Sequence, residues 1–99
     1  MKVEELKQGM ILQPLPLLWT NKRMVFHLQF KTDEEGNSYW NVSCGARKHR
    51  PPGHDIAVYI GYERAGFFMN GVRKHHLLLV DGNVARMDGY EFRYIEPAS

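Results

Sequence analysis

The sequence predicts an all-β fold, either a small barrel or a strongly bent antiparallel sheet. First, no segment of eleven or more residues repeats its apolar side chains at helical spacing. Second, short apolar or alternating runs are separated by Gly, Pro, Asn and Asp. Third, Asp81-Gly82 joins two apolar runs, as in a hairpin whose type I′ turn needs a positive φ at both central residues. Closure of the sheet would also protect its strand edges in a chain this short.

The N-terminal part predicts a short strand followed by a hairpin. Residues 3–6 are long enough for one helical turn, and residues 10–12 form a strand that a proline soon ends. An inserted hairpin is predicted over residues 24–43, with an acidic turn at 33–37 in which Gly36 supplies a positive φ. Strict alternation in its first arm places His27 on the face opposite the apolar side chains, where we expect contact with water.

The middle of the chain predicts an irregular loop and then a strong strand. Residues 44–55 form a basic loop in which Pro51-Pro52-Gly53 excludes both a helix and a central strand. Residues 56–62 alternate as a strand, and residues 63–66 are expected to turn. A further turn is expected at Asn70-Gly71.

The C-terminal part predicts a β-meander over residues 72–97. Its first strand ends at Val80, and its second strand runs from Asn83 to Met87. The second Asp-Gly pair, Asp88-Gly89, is then expected to turn the chain into a third strand at 90–95, where aromatic or apolar residues alternate with charged ones.

Several of these segments carry a family resemblance. The strand Ile56–Gly61 (IAVYIG), the strands on either side of Asp81-Gly82 and the closing run Phe92–Glu96 resemble a small SH3-like barrel. The opening Leu6–Leu12 is similar to the first strand of such barrels, which occur as stand-alone proteins of bacteria and phages. The resemblance implies a binding module and not an enzyme.

Size and composition predict one cytoplasmic domain over residues 1–99. A second core could not be filled from 99 residues. The single cysteine, Cys44, excludes an internal disulfide, which suits a reducing compartment. The most apolar N-terminal stretch, 10–19, is interrupted by two prolines, and no stretch approaches the roughly 18 apolar residues of a membrane span.

Positive charge is concentrated in the middle third of the chain. Residues 46–76 hold six basic residues (Arg47, Lys48, Arg50, Arg64, Arg73, Lys74) against two acidic ones (Asp55, Glu63). Basic runs of this kind neutralise phosphates, and neighbouring tyrosines such as Tyr39, Tyr59 or Tyr62 would stack on unpaired bases. We therefore expect contact with RNA or single-stranded DNA, through Arg47, Lys48, His49, Arg50, Arg73, Lys74 and His75. A merely solvated basic loop is the alternative interpretation.

A second hypothesis is a protein-binding adaptor or inhibitor. The segments 15–19 and 67–69 are apolar and lie in predicted loops, so Leu17, Trp19, Phe67 and Phe68 are candidates for contact with a partner. The basic middle of the chain would also suit an acidic protein. Burial in the core is the alternative explanation for these side chains.

A third hypothesis is a small metal-dependent enzyme that uses Cys44, His49 and His54. These ligand types suit zinc, and His49 and His54 have the spacing of a zinc-binding pair. Only one thiol is present, and no helix is predicted that would bring the three residues together. Phosphate-binding glycine loops are absent from the sequence as well. The sequence therefore favours a protein without catalytic residues, metal or cofactor.

Overall fold

Seven β-strands and two short 3₁₀ helices make up the described part of the chain. The computed structural model describes residues 1–16, 22–46, 53–68 and 71–98, and for residues 64–68 and 71–74 it describes the backbone only. The strands are β1 (Ile11–Pro14), β2 (Val25–Thr32), β3 (Ser38–Gly45), β4 (Ala57–Phe68), β5 (Gly71–Val80), β6 (Asn83–Met87) and β7 (Ile95–Pro97). The 3₁₀ helices span Val3–Glu5 and Gly89–Tyr94. The predicted all-β class is confirmed.

All seven strands belong to one mixed sheet, in the order β2-β3-β6-β5-β4-β1-β7. The hairpin predicted at 24–43 is present as β2 and β3, whose register pairs Phe26 with Cys44. β3 then lies parallel to β6, with Trp40 opposite Ala85. The other pairs of neighbouring strands are antiparallel.

One side of the sheet carries the hydrophobic core. Its fully buried side chains include Leu12, Phe26, Val42, Ala57, Leu78, Ala85, Phe92 and Ile95. Phe26 comes from the edge strand β2 and Ile95 from the opposite edge strand β7, yet both belong to the same buried cluster. Residues from opposite edges of the sheet therefore share one core. Burial of one such large apolar side chain contributes about 1.5–3 kcal/mol.

The two ends of the sheet are connected differently. At the turn end, β2 joins β3 through residues 33–37, and β5 joins β6 through Asp81-Gly82. Because β3 and β6 are parallel, both finish at the opposite end, and β5, antiparallel to β6, begins there. We call this second end the loop end. β3 ends there, and the part of the β4–β5 hairpin beyond Tyr62 and His76 belongs to it.

The tight turns have the backbone that the sequence predicts. Asp81 has φ 49° and Gly82 has φ 79°, so both central residues of the hairpin turn are in the left-handed region. Gly36, in the acidic turn, has φ 87°. The Asp33 carboxylate accepts hydrogen bonds from the backbone N–H groups of Glu35 and Asn37, which stabilises that turn.

The third strand predicted at 90–95 is wrong. Residues Gly89–Tyr94 form a 3₁₀ helix, and the short strand β7 that follows pairs with β1. Asp88 has φ −71° and ψ 145°, so the second Asp-Gly pair does not make the turn of the first. The helix buries the side chains of Glu91 and Phe92 and leaves Tyr90 exposed.

Two further expectations in the middle of the chain are also wrong. The predicted turn at 63–66 lies inside β4, which continues to Phe68 with a shift in register between Arg64 and Phe67. His27 does lie opposite the apolar face, but only 6% of it is exposed. Its Nε2 atom is 2.8 Å from the carbonyl oxygen of Ala46. The chain that leaves β3 therefore covers this histidine, a contact that strand alternation alone does not reveal.

Among the described residues, no helix is long and apolar enough to cross a membrane.

Candidate nucleic-acid interface

The predicted phosphate-binding residues fall into two groups. Arg47, Lys48, His49 and Arg50 lie outside the described residues. Arg73 and Lys74 belong to β5, where their backbone alone is described. His75, also on β5, is half-buried and lies opposite Glu63 of β4. The strand partner of Lys74 is another basic residue, Arg64.

Both basic segments start from the loop end of the sheet. The segment 46–53 follows β3, and β3 is separated from β5 by β6 alone. With neighbouring strands about 4.8 Å apart, the axes of β3 and β5 are about 10 Å apart across the sheet. The sequence shows two basic runs more than twenty residues apart, and the topology gives them neighbouring origins.

The turn end carries the opposite charge. Asp33, Glu34 and Glu35 lie in one of its turns, and Asp81 lies in the other. Asp33 is half-buried, and the other three are exposed to solvent. The acidic residues of these two turns therefore lie at the end of the sheet opposite to that from which both basic segments start.

A groove of about 440 Å³ lies at the foot of the β4–β5 hairpin. The first 3₁₀ helix and the residues after it form one wall, and β4 forms the other. At its inner side the Tyr59 hydroxyl is hydrogen-bonded to His76 Nδ1 at 2.9 Å, and both side chains are buried. The His76 ring also packs edge-on against Phe92, with the ring centroids 4.9 Å apart. The floor of the groove is therefore fixed by packing against the core.

The tyrosines that the sequence suggests as stacking faces differ in exposure. Tyr62 is 53% exposed and lines the groove. Tyr59 is buried, so its suggested stacking role is wrong. Tyr39 is half-buried, with the Arg86 guanidinium 4.5 Å from its ring centroid.

Sequence reasoning missed a second aromatic surface beside the groove. Tyr90, in the second 3₁₀ helix, is 58% exposed, and the Arg93 guanidinium lies 5.9 Å from its ring centroid. Lys2, Tyr90 and Arg93 line a second depression of about 720 Å³, which shares Val3 and Glu4 with the first groove. The error in assigning residues 90–95 to a strand concealed this surface, because a strand would have spaced these side chains differently.

The phenols of Tyr59 and Tyr90 stay protonated at neutral pH. Burial raises the pKa of Tyr59, with a smaller contribution from neighbouring Tyr62. The charges of Glu91 and then Asp88 raise the pKa of Tyr90. The Tyr59 hydroxyl is already bonded to His76, so the exposed neutral ring of Tyr90 is what a ligand can contact here.

Cys44 and His54 are not placed as a metal-binding pair. Cys44 of β3 pairs with Phe26 of β2. His54 forms a bridge to the same Phe26 along the other edge of β2. Two strand spacings, about 10 Å, therefore separate their backbones. His49 lies outside the described residues. Within the described ranges, no three His, Cys, Asp or Glu side chains are grouped as metal ligands.

The Cys44 thiol is also in an unfavourable setting for thiolate chemistry. Burial, followed by the charge of Glu91, raises its pKa to about 12. The Glu91 carboxylate accepts a hydrogen bond from the Cys44 backbone N–H at 3.2 Å. A reactive or ligating thiolate needs an electropositive environment, and this carboxylate supplies the opposite.

The residues predicted to bind a protein partner remain predictions. Leu17 and Trp19 lie outside the described residues. Phe67 and Phe68 form the end of β4, opposite Val72 and Gly71, with their backbone alone described. β5 pairs with β6 only from His76 onwards, so this part of the hairpin extends beyond β6.

Comparison with protein-family models, with curated proteins and with solved structures finds no significant match to this chain.

Proposed function

We propose that this protein is a non-enzymatic binding module for RNA or single-stranded DNA, and that the loop end of the sheet is its contact surface. We also propose that the bent sheet is a small SH3-like barrel, since residues from both of its edge strands share one core. Small β-barrels are frequent platforms for single-stranded nucleic acid.

The observation that carries this proposal is the common origin of the two basic segments. Segment 46–53 continues from β3 and the distal hairpin from β4 and β5, and the axes of β3 and β5 are about 10 Å apart where both flank β6. Together they hold the six basic residues of the range 46–76, which contains two acidic residues. Phosphates neutralised by such a cluster release counterions, so the affinity depends strongly on salt.

Exposed tyrosines beside this charge favour single strands over a duplex. Tyr62 and Tyr90 offer their rings to solvent near the foot of the hairpin. Unpaired bases stack on such rings, and each stacked base contributes about 1–3 kcal/mol to binding. A duplex keeps its bases stacked on each other and cannot use these faces.

The test is fluorescence anisotropy with labelled RNA and single-stranded DNA oligonucleotides over a series of salt concentrations. We expect binding at low salt that weakens steadily as salt is added. Lys74→Gln, at the loop end, should weaken binding to every sequence and lower the salt slope by about 1, because one phosphate contact is lost.

Lys31→Gln is the matched control, since it makes the same chemical change on β2 near the turn end. It should leave the affinity unchanged. No binding at low salt, or equal losses from the two substitutions, would refute the proposal.

A further inference from the structure

The groove at the foot of the β4–β5 hairpin has one aromatic wall and one apolar wall. Tyr62 forms the aromatic side, with its ring centroid 6.4 Å from that of His76. Val3 and Leu6 line the facing side. Two such walls form a slot for a flat ring, which would stack on the tyrosine and cover the aliphatic side chains.

The space beside Gly61, at the mouth of this slot, is open. The register of β4 against β5 shifts between Tyr59 and Gly61, which is an irregularity of the kind found beside binding sites. A Cβ atom added to Gly61 would meet nothing within 4 Å. The space in front of the β4 wall is therefore clear at this position.

Polar groups stand at the rim of the groove, while those at its base are occupied. Tyr59 and His76 satisfy each other through their 2.9 Å hydrogen bond. Glu4 and Gln8 line the rim and are both exposed. A carboxylate accepts hydrogen bonds from an exocyclic amino group, and a side-chain amide both donates and accepts.

Basic positions follow immediately along the hairpin. Tyr62 of β4 lies opposite His76 of β5. Two residues further along the hairpin, Arg64 lies opposite Lys74. Two residues of strand span about 7 Å. A nucleotide whose base stacks on Tyr62 would therefore have two basic residues, Arg64 and Lys74, within about 7 Å along the strands. Positive charge at that distance suits the phosphate to which the base is attached.

We infer that this groove binds one unpaired base of the nucleic-acid strand, and that Glu4 makes it prefer bases with an exocyclic amino group, such as cytosine and adenine, over thymine or uracil. The inference rests on the proposed function and adds to it the site that receives a base. Stacking on Tyr62 supplies the affinity for the ring, and Glu4 with Gln8 contacts its edge.

The experiment compares homopolymeric oligo(dC), oligo(dA) and oligo(dT) in the anisotropy assay, using the full chain. The wild type should bind oligo(dC) and oligo(dA) more tightly than oligo(dT). Tyr62→Leu should weaken binding about tenfold, because one stacking contact is lost. Tyr62→Phe keeps the ring and should bind as the wild type does. Glu4→Gln should reduce the preference for oligo(dC) while the salt slope stays unchanged.

The outcomes separate this inference from the proposed function. If the wild type binds all oligonucleotides in a salt-dependent manner and Tyr62→Leu binds equally well, the groove is not the base site and the function stands. Equal affinity of the wild type for the three oligonucleotides refutes the role of Glu4. If the wild type binds none of them, both proposals fail. Circular dichroism spectra of the variants confirm that each is folded.

Discussion

The turn end and the loop end of the sheet differ in how they connect strands and in the charge of the sequence found there. The turn end closes two hairpins with short acidic turns whose backbone follows local rules, as the positive φ angles of Gly36, Asp81 and Gly82 show. The loop end is where β3 ends and where the distal part of the β4–β5 hairpin lies, and both basic segments of the sequence start there. Tight local turns therefore stabilise one end of the sheet, while the binding surface that we propose lies at the other.

The largest expected effect on stability concerns a glycine at the loop end. Gly53 lies against the buried Val25, and a Cβ atom at residue 53 would stand 2.6 Å from Val25 Cβ. Gly53→Ala should therefore lower the free energy of unfolding by about 3 kcal/mol, because a β-branched core side chain cannot move aside without strain. Urea denaturation measures this loss.

Gly45→Ala is the matched control at the same end. The nearest atom to a Cβ there is His27 Cδ2 at 3.5 Å, an ordinary contact. We expect little change in stability. Equal stability of Gly53→Ala and the wild type would mean that the loop end is not anchored at this point.

A smaller effect is expected from the two Asp-Gly pairs. Gly82 has φ 79°, so Gly82→Ala should lower the free energy of unfolding by about 1 kcal/mol. Gly89 is not in the left-handed region, and the nearest atom to a Cβ there is 3.7 Å away, at His76 Nε2. Gly89→Ala should be tolerated. Comparable losses from the two substitutions in urea denaturation would contradict the difference between these turns.

The smallest expected effect on stability comes from the Cys44 thiol and appears only at alkaline pH. The Cys44 pKa is raised from 9.0 to about 12 in the folded protein, so the unfolded chain loses this proton first. Stability from this group is complete below pH 9.0 and is lost as the pH rises towards 12. Thermal unfolding should therefore shift to lower temperature over this range, and the shift should be smaller in Cys44→Ala. Tyr59, whose pKa is also raised, accounts for part of the remaining decline.

Identical alkaline profiles of the wild type and Cys44→Ala would show that the thiol is solvated. The loop end would then be more open around Cys44 than its packing against the core indicates.

Local sequence signals predicted the turn end well. The Asp81-Gly82 hairpin, the positive φ at Gly36 and the hairpin at 24–43 all follow from residue type and alternation within a few positions. These features depend on interactions between near neighbours, which a sequence displays directly.

The loop end and the groove depend on contacts that no local pattern displays. The parallel pairing of β3 with β6 brings together residues about forty-five positions apart. The burial of His27 under Ala46 and the helical course of residues 89–94 also result from tertiary packing. Composition indicated where the charge is in the sequence, but it could not show that both basic segments begin at the same end.

The pairing of β1 with β7 has a consequence for how the protein folds. Leu12 lies opposite Pro97, so this contact joins residues near the two ends of the described chain. Closing so long a loop costs more entropy than closing a hairpin, and folds with many such contacts form on the millisecond-to-second scale. We therefore expect the local meander β4–β5–β6 to form before β1 pairs with β7. The groove needs Val3 and Leu6 from the segment before β1 as well as β4, so it forms only when the N-terminal segment has docked on the β4–β5 hairpin.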